Sequence, residues 1–126
     1  MGSVSQSNYL LGIKLFNQAD FFTAHEVLED VWRESTGPEK KFLQALIQIA
    51  VGLHHHSRGN QRGARSLLAR ATRNLEPYPE VFGGLRLAPL REHLEAWNHA
   101  LAKDALPPPI FKIQLGTRRS GPGSRL

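Results

Sequence analysis

The chain has 126 residues, a formal net charge of +5, 40% hydrophobic and 21% charged residues, and no cysteine. That length and mixture predict one globular domain that buries its core without covalent staples, and argue against disorder. The lack of cysteine excludes disulfides, thiolate metal sites and thiol catalysis.

The opening residues, Met1 to Gln6, have neither the basic nor the apolar region of a signal peptide, and Gln6 breaks the myristoylation pattern. A first helix is predicted over about Ser5–Asn17, with Leu10, Ile13, Leu15 and Phe16 on its apolar side. Asp20 stands as an N-cap for a second helix over Phe21–Ser35. Gly37 ends that helix, and Pro38 suits the first turn of a third. The third helix runs to Arg58 and stops at Gly59, and Asn60 caps a fourth that continues to Glu76. Gly83-Gly84 sits in a short irregular segment. A fifth helix then starts near Ala88-Pro89, with Leu90, Leu94, Trp97 and Leu101 as its buried stripe. Pro107-Pro108-Pro109 forces an extended tail whose Ile110, Phe111, Ile113 and Leu115 dock on the bundle. Residues 1–115 are expected to form the domain, and 116–126 a disordered basic tail.

The fold class expected is thus all-α, a compact bundle of about five helices. Phe16–Ala24 and His56–Ala64 share one cadence, that of the antiparallel tetratricopeptide hairpin. Their separation of about 40 residues, against roughly 34 in that repeat, points to a bundle and not an array. The longest apolar stretch, Phe42 to Leu53, is broken by Gln44 and Gln48 and is too short to span a bilayer. A soluble, cytoplasmic protein with no membrane partner is expected.

On a helical wheel the second helix gathers Phe21, Leu28 and Trp32, with Ala24 and Val31 extending the stripe. His25 falls inside this sector and Glu29 at its edge, while Glu26 and Asp30 point away. The third helix is apolar nearly all round, as a central helix would be, yet Gln44, Gln48 and His55 align in one narrow stripe on it. Each polar group buried without a partner costs about 1–3 kcal/mol. The stripe therefore needs partners, and the preceding helix offers His25 and Glu29. Such a cluster serves either as a hydrogen-bond network that fixes helix register or as a ligand pocket. In the second case His25, Glu29 and His55 supply two nitrogens and a carboxylate, enough for a single divalent metal with open positions. A catalytic version would have Glu29 polarise His25 as a general base, but no nucleophile motif or phosphate loop accompanies them. His54, His55 and His56 point about 100° apart and cannot share one ion.

The fourth helix puts Ala64, Leu67, Leu68, Ala71 and Leu75 on one side and Arg62, Arg65, Arg70 and Arg73 on the other. That face is either plainly solvated or a contact surface for nucleic-acid phosphates, extended by Arg118, Arg119 and Arg125. It lacks aromatics for stacking on single strands.

Phe16-Asn17, Asp20-Phe21-Phe22 and Ala24-His25-Glu26-Val27-Leu28-Glu29-Asp30-Val31-Trp32-Arg33 resemble the hallmark of domain of unknown function 309 (DUF309). The resemblance continues through Phe42-Leu43-Gln44, Leu46-Ile47-Gln48-Ile49-Ala50, Gly59-Asn60 and Gly63-Ala64, and spans about residues 8–115. It implies about five helices and supplies no activity, substrate or cofactor. Its signature positions include His25, Glu29, Trp32, Gln44 and Gln48; Ala19 stands where the family usually has glycine. The leading expectation is a binding or interaction module for a protein or small-molecule ligand. The alternatives are a metal-dependent or His/Glu acid–base enzyme of hydrolase type, and a nucleic-acid-associated helper.

Overall fold

The computed structural model describes residues 2–116, so the basic segment 117–126 lies outside the described residues. Among the described residues five helices form: α1 (Gly2–Asn17), α2 (Phe21–Arg33), α3 (Gly37–Ser57), α4 (Gln61–Leu75) and α5 (Leu87–Ala102). Each packs on its successor in sequence, which leaves α3 flanked by α2 and α4. Phe42, Leu43, Ala45, Leu46, Ile49, Ala50 and Leu53 are accordingly all buried, as the all-round apolar pattern of α3 requires. Gly12 permits a close approach of α1 to α2: a Cβ there would stand 2.6 Å from Leu28.

The repeated cadence has a backbone cause. After α1, Ala19 N–H bonds Phe16 O and Asp20 N–H bonds Leu15 O; after α3, Gly59 N–H bonds His56 O and Asn60 N–H bonds His55 O. Both are Schellman ends, in which a left-handed residue turns the chain so that its amides close the helix's last carbonyls. Gly59 occupies that position at φ 80°, whereas Ala19 occupies it at φ 64°. Glycine carries no Cβ penalty there, so Ala19→Gly is expected to raise stability by about 1 kcal/mol. A urea denaturation midpoint that falls would contradict this account of the turn. Asn60 caps α4 by accepting from Gly63 N–H at 3.0 Å, but Asp20, at the same place before α2, makes no side-chain cap bond. Helix α2 stops at Arg33, two residues short of the expected Ser35.

The segment expected to be irregular is a β-hairpin, β1 (Val81–Phe82) and β2 (Leu85–Arg86), joined by a Gly83-Gly84 turn with both φ positive. Two central residues with positive φ match the right-handed twist of the strands they connect. β3 (Gln114–Leu115) adds antiparallel to β2, giving the order β1-β2-β3, and Gly116 N–H still reaches Gly84 O at 2.8 Å. Residues 105–113 are non-helical. Phe111 and Ile113 dock as expected, while Ile110, Leu115 and, on α1, Leu10 are exposed. Asn17 holds the tail, donating to Ile113 O at 2.9 Å and accepting from Ile113 N–H at 2.7 Å.

Candidate functional site

The residues expected to form one polar cluster are not brought together. His25 is half-buried, donates through Nδ1 to Phe22 O at 2.8 Å, and packs edge-on against the Phe22 ring. Phe22 also meets His54, so an aromatic patch, and no polar one, joins this end of α2 to α3. Glu29 turns along its own helix to Arg33, at 3.6 Å, with 42% of its side chain exposed. Trp32 is half-buried beneath the Lys40 ammonium, 4.3 Å from the ring centroid, and its buried Nε1 has no partner among the described residues.

Gln44, Gln48 and His55 face α4, not α2. Gln48 Oε1 accepts from Asn74 Nδ2 at 2.9 Å. His55 Nδ1 accepts from Asn60 Nδ2 at 3.1 Å, and its ring covers Gly63, where a Cβ would meet it at 3.0 Å. Gln44 is exposed. The wheel fixed the stripe's angle on α3, but a central helix has two neighbours, and burial alone does not say which one a stripe addresses. Among the described residues no three His, Asp or Glu side chains are grouped to hold a metal ion. The trio His25, Glu29 and His55 is therefore not assembled as a metal site. His56 is separate again, bonded to Gln61 at 2.9 Å and packed on Trp97.

Glu29→Gln removes only a part-exposed ion pair within one helix, so the expected change in stability is below about 0.5 kcal/mol. A loss above about 1.5 kcal/mol in urea denaturation would show a buried role for this carboxylate that the geometry lacks.

A depression of about 400 Å³ lies elsewhere, at the meeting of α1, the end of α2, the start of α3 and the hairpin. Its apolar lining is Val31, Phe42, Leu43 and Phe82; Ser35, Glu39 and Gln6 bring the polar groups. The hairpin wall is fixed by two devices. Phe42, Tyr78 and Phe82 pack on one another in tilted and edge-on contacts with centroids 4.7–5.3 Å apart. Tyr9 donates its hydroxyl to Gly83 O at 2.6 Å across the other side. Burial pushes the Tyr9 phenol pKa up. The folded chain thus holds that proton more tightly than the unfolded one, so this contribution is intact below pH about 10 and is lost as pH rises beyond it. Glu39 stands in the first turn of α3, where the helix dipole favours its negative charge.

Sequence inspection passed over this groove because its parts come from four elements. The one local signal was Gly83-Gly84 between Val81-Phe82 and Leu85-Arg86, a two-glycine turn between apolar pairs.

Residues 9–67 match the family model described as Domain of unknown function (DUF309). An uncharacterized protein of Aquifex aeolicus (strain VF5) is 35% identical over 81 residues, covering 64% of this chain and 24% of that protein. Uncharacterized protein YpuF of Bacillus subtilis (strain 168) is 41% identical over 58 residues, covering 45% of this chain and 33% of its own length. The aligned part of this chain thus spans between a quarter and a third of these relatives. The match bears out the DUF309 resemblance over the second half of α1, α2, α3 and the first half of α4. No helix among the described residues is long and apolar enough to cross a membrane.

Proposed function

We propose that this chain, whose residues 9–67 carry the DUF309 match, is a non-catalytic binding domain and that the groove walled by the hairpin is its binding site. The observation that carries the proposal is a depression of about 400 Å³ with an apolar floor, fixed walls and one carboxylate, Glu39, at its lining. Sites for small ligands and peptide side chains share that design, an apolar cavity with few polar groups that set orientation. The occupant that fits is a segment of a partner protein presenting an apolar side chain beside a basic one. The apolar group would cover Phe42 and Leu43, and the basic group would meet Glu39.

The catalytic alternative has no support in the geometry, since His25 is tied to Phe22 O and Glu29 to Arg33. The test is a titration with short peptides of Leu-Lys and Leu-Glu type, followed by fluorescence anisotropy. The wild-type protein should prefer the basic peptide, and Glu39→Lys should reverse that preference. Equal binding of both peptides, unchanged in the variant, would defeat the proposal.

A further inference from the structure

A second depression, about 300 Å³, opens between α3 and α4 on a different side of α3 from the groove. Lys41, Gln44, Arg73, Asn74, Pro77 and Tyr78 line it. Its chemistry is one-sided: two cations and two carboxamides face it, and no carboxylate does. Neither Lys41 nor Arg73 takes part in an ion pair among the described residues. We propose that this depression binds a phosphate group, with Lys41 and Arg73 supplying charge and the Gln44 and Asn74 amides supplying directional donors.

Three features of the surroundings support this. Asn74 spends one Nδ2 hydrogen on Gln48 Oε1, which orients the amide and leaves its second hydrogen for a ligand. The Tyr78 hydroxyl donates to Pro38 O at 2.7 Å, which fixes the phenol ring as a wall. The end of α4 also lies here, and open carbonyls there would repel an anion. Arg91 of α5 caps the last of them, its guanidinium donating to Leu75 O at 2.9 Å and, just beyond the helix, to Tyr78 O. A cation thus sits at the helix end whose dipole would otherwise oppose an anion. The stripe Gln44–Gln48, which the sequence marked as needing partners, leads directly into this site.

Two sources offer the same phosphate chemistry: a free phosphate or small phosphomonoester, and the backbone of a nucleic acid reaching along Arg62, Arg65, Arg70 and Arg73, all exposed on α4. The experiment uses the full chain with inorganic phosphate, a nucleoside monophosphate and a short DNA duplex as probes. Side-chain amide resonances of Gln44 and Asn74 are followed by NMR. Saturable shifts of those amides are expected with phosphate, weakened about tenfold by Lys41→Gln and again by Arg73→Gln, the loss typical of one charged hydrogen bond. Both residues are exposed, so these variants should fold, and unchanged urea midpoints would verify it. If the duplex binds far more tightly than the monophosphate and with steep salt dependence, the phosphate belongs to nucleic acid; comparable affinities assign it to a small molecule. Duplex binding that survives Lys41→Gln and Arg73→Gln, or shifts that never saturate, would overturn the site. Because Glu39 and the hairpin take no part, the peptide-groove proposal stands or falls separately.

Discussion

Gly83→Val is expected to abolish capture of basic peptides and to lower stability by about 2–4 kcal/mol. Residue 83 lies at φ 58°, and a Cβ there would stand 2.9 Å from both the Phe42 ring and the Tyr9 hydroxyl. A β-branched side chain pays about 1–2 kcal/mol for the left-handed conformation alone. The two contacts then force either the hairpin off α3 or the Tyr9 hydroxyl off Gly83 O, and each opens the groove. Gly84→Ala is the control: it also has positive φ, 73°, but nothing lies within 4 Å of the added carbon. It should cost about 1 kcal/mol and leave peptide affinity within twofold. Urea denaturation and peptide titration of both variants check this. Equal behaviour of the two would mean that the hairpin does not wall the site.

Trp97→Ala should cost about 3–5 kcal/mol, the range for deleting a buried aromatic. Trp97 is 1% exposed and joins the central helix to the C-terminal tail. Its ring meets His56 of α3 at 4.9 Å and Phe111 of the tail at 6.3 Å, and its Nε1 donates to Pro109 O at 3.3 Å. The tail therefore loses one of its anchors together with the core. Chemical denaturation should show the full loss, and amide exchange should rise at Phe111 and Ile113 before it rises in α3. A loss under about 1.5 kcal/mol would show that the tail packs independently of this side chain.

The helices were legible because their signals are local. The apolar period of α5 returned Leu90, Leu94, Trp97 and Leu101 as buried residues, and the Asn60 cap and Pro38 start fall where side-chain chemistry puts them. Alternation in the tail was half legible, with Phe111 and Ile113 inward but Leu115 out: both residues of β3, which pairs with β2 at the sheet's edge, are exposed. The site was less legible. Polarity on an apolar helix identified Gln48 as a buried group in need of a partner, and it has one. The partner, Asn74, lies on the following helix, and nothing in a single wheel distinguishes the two neighbours of α3. Glu39, which no sequence pattern singled out, acquires its place at the groove only when the hairpin, over forty residues later in sequence, folds back on Phe42.

Binding is expected at the hairpin-walled groove and not at the His25/Glu29 face of α2 that the sequence singled out. Chemical-shift mapping of isotope-labelled protein with a Leu-Lys peptide tests it most directly. Shifts should concentrate at Ser35, Glu39, Phe42, Gly83 and Gly84, with His25, Glu29 and His55 unmoved. Shifts centred on His25 and Glu29, with the hairpin silent, would contradict it.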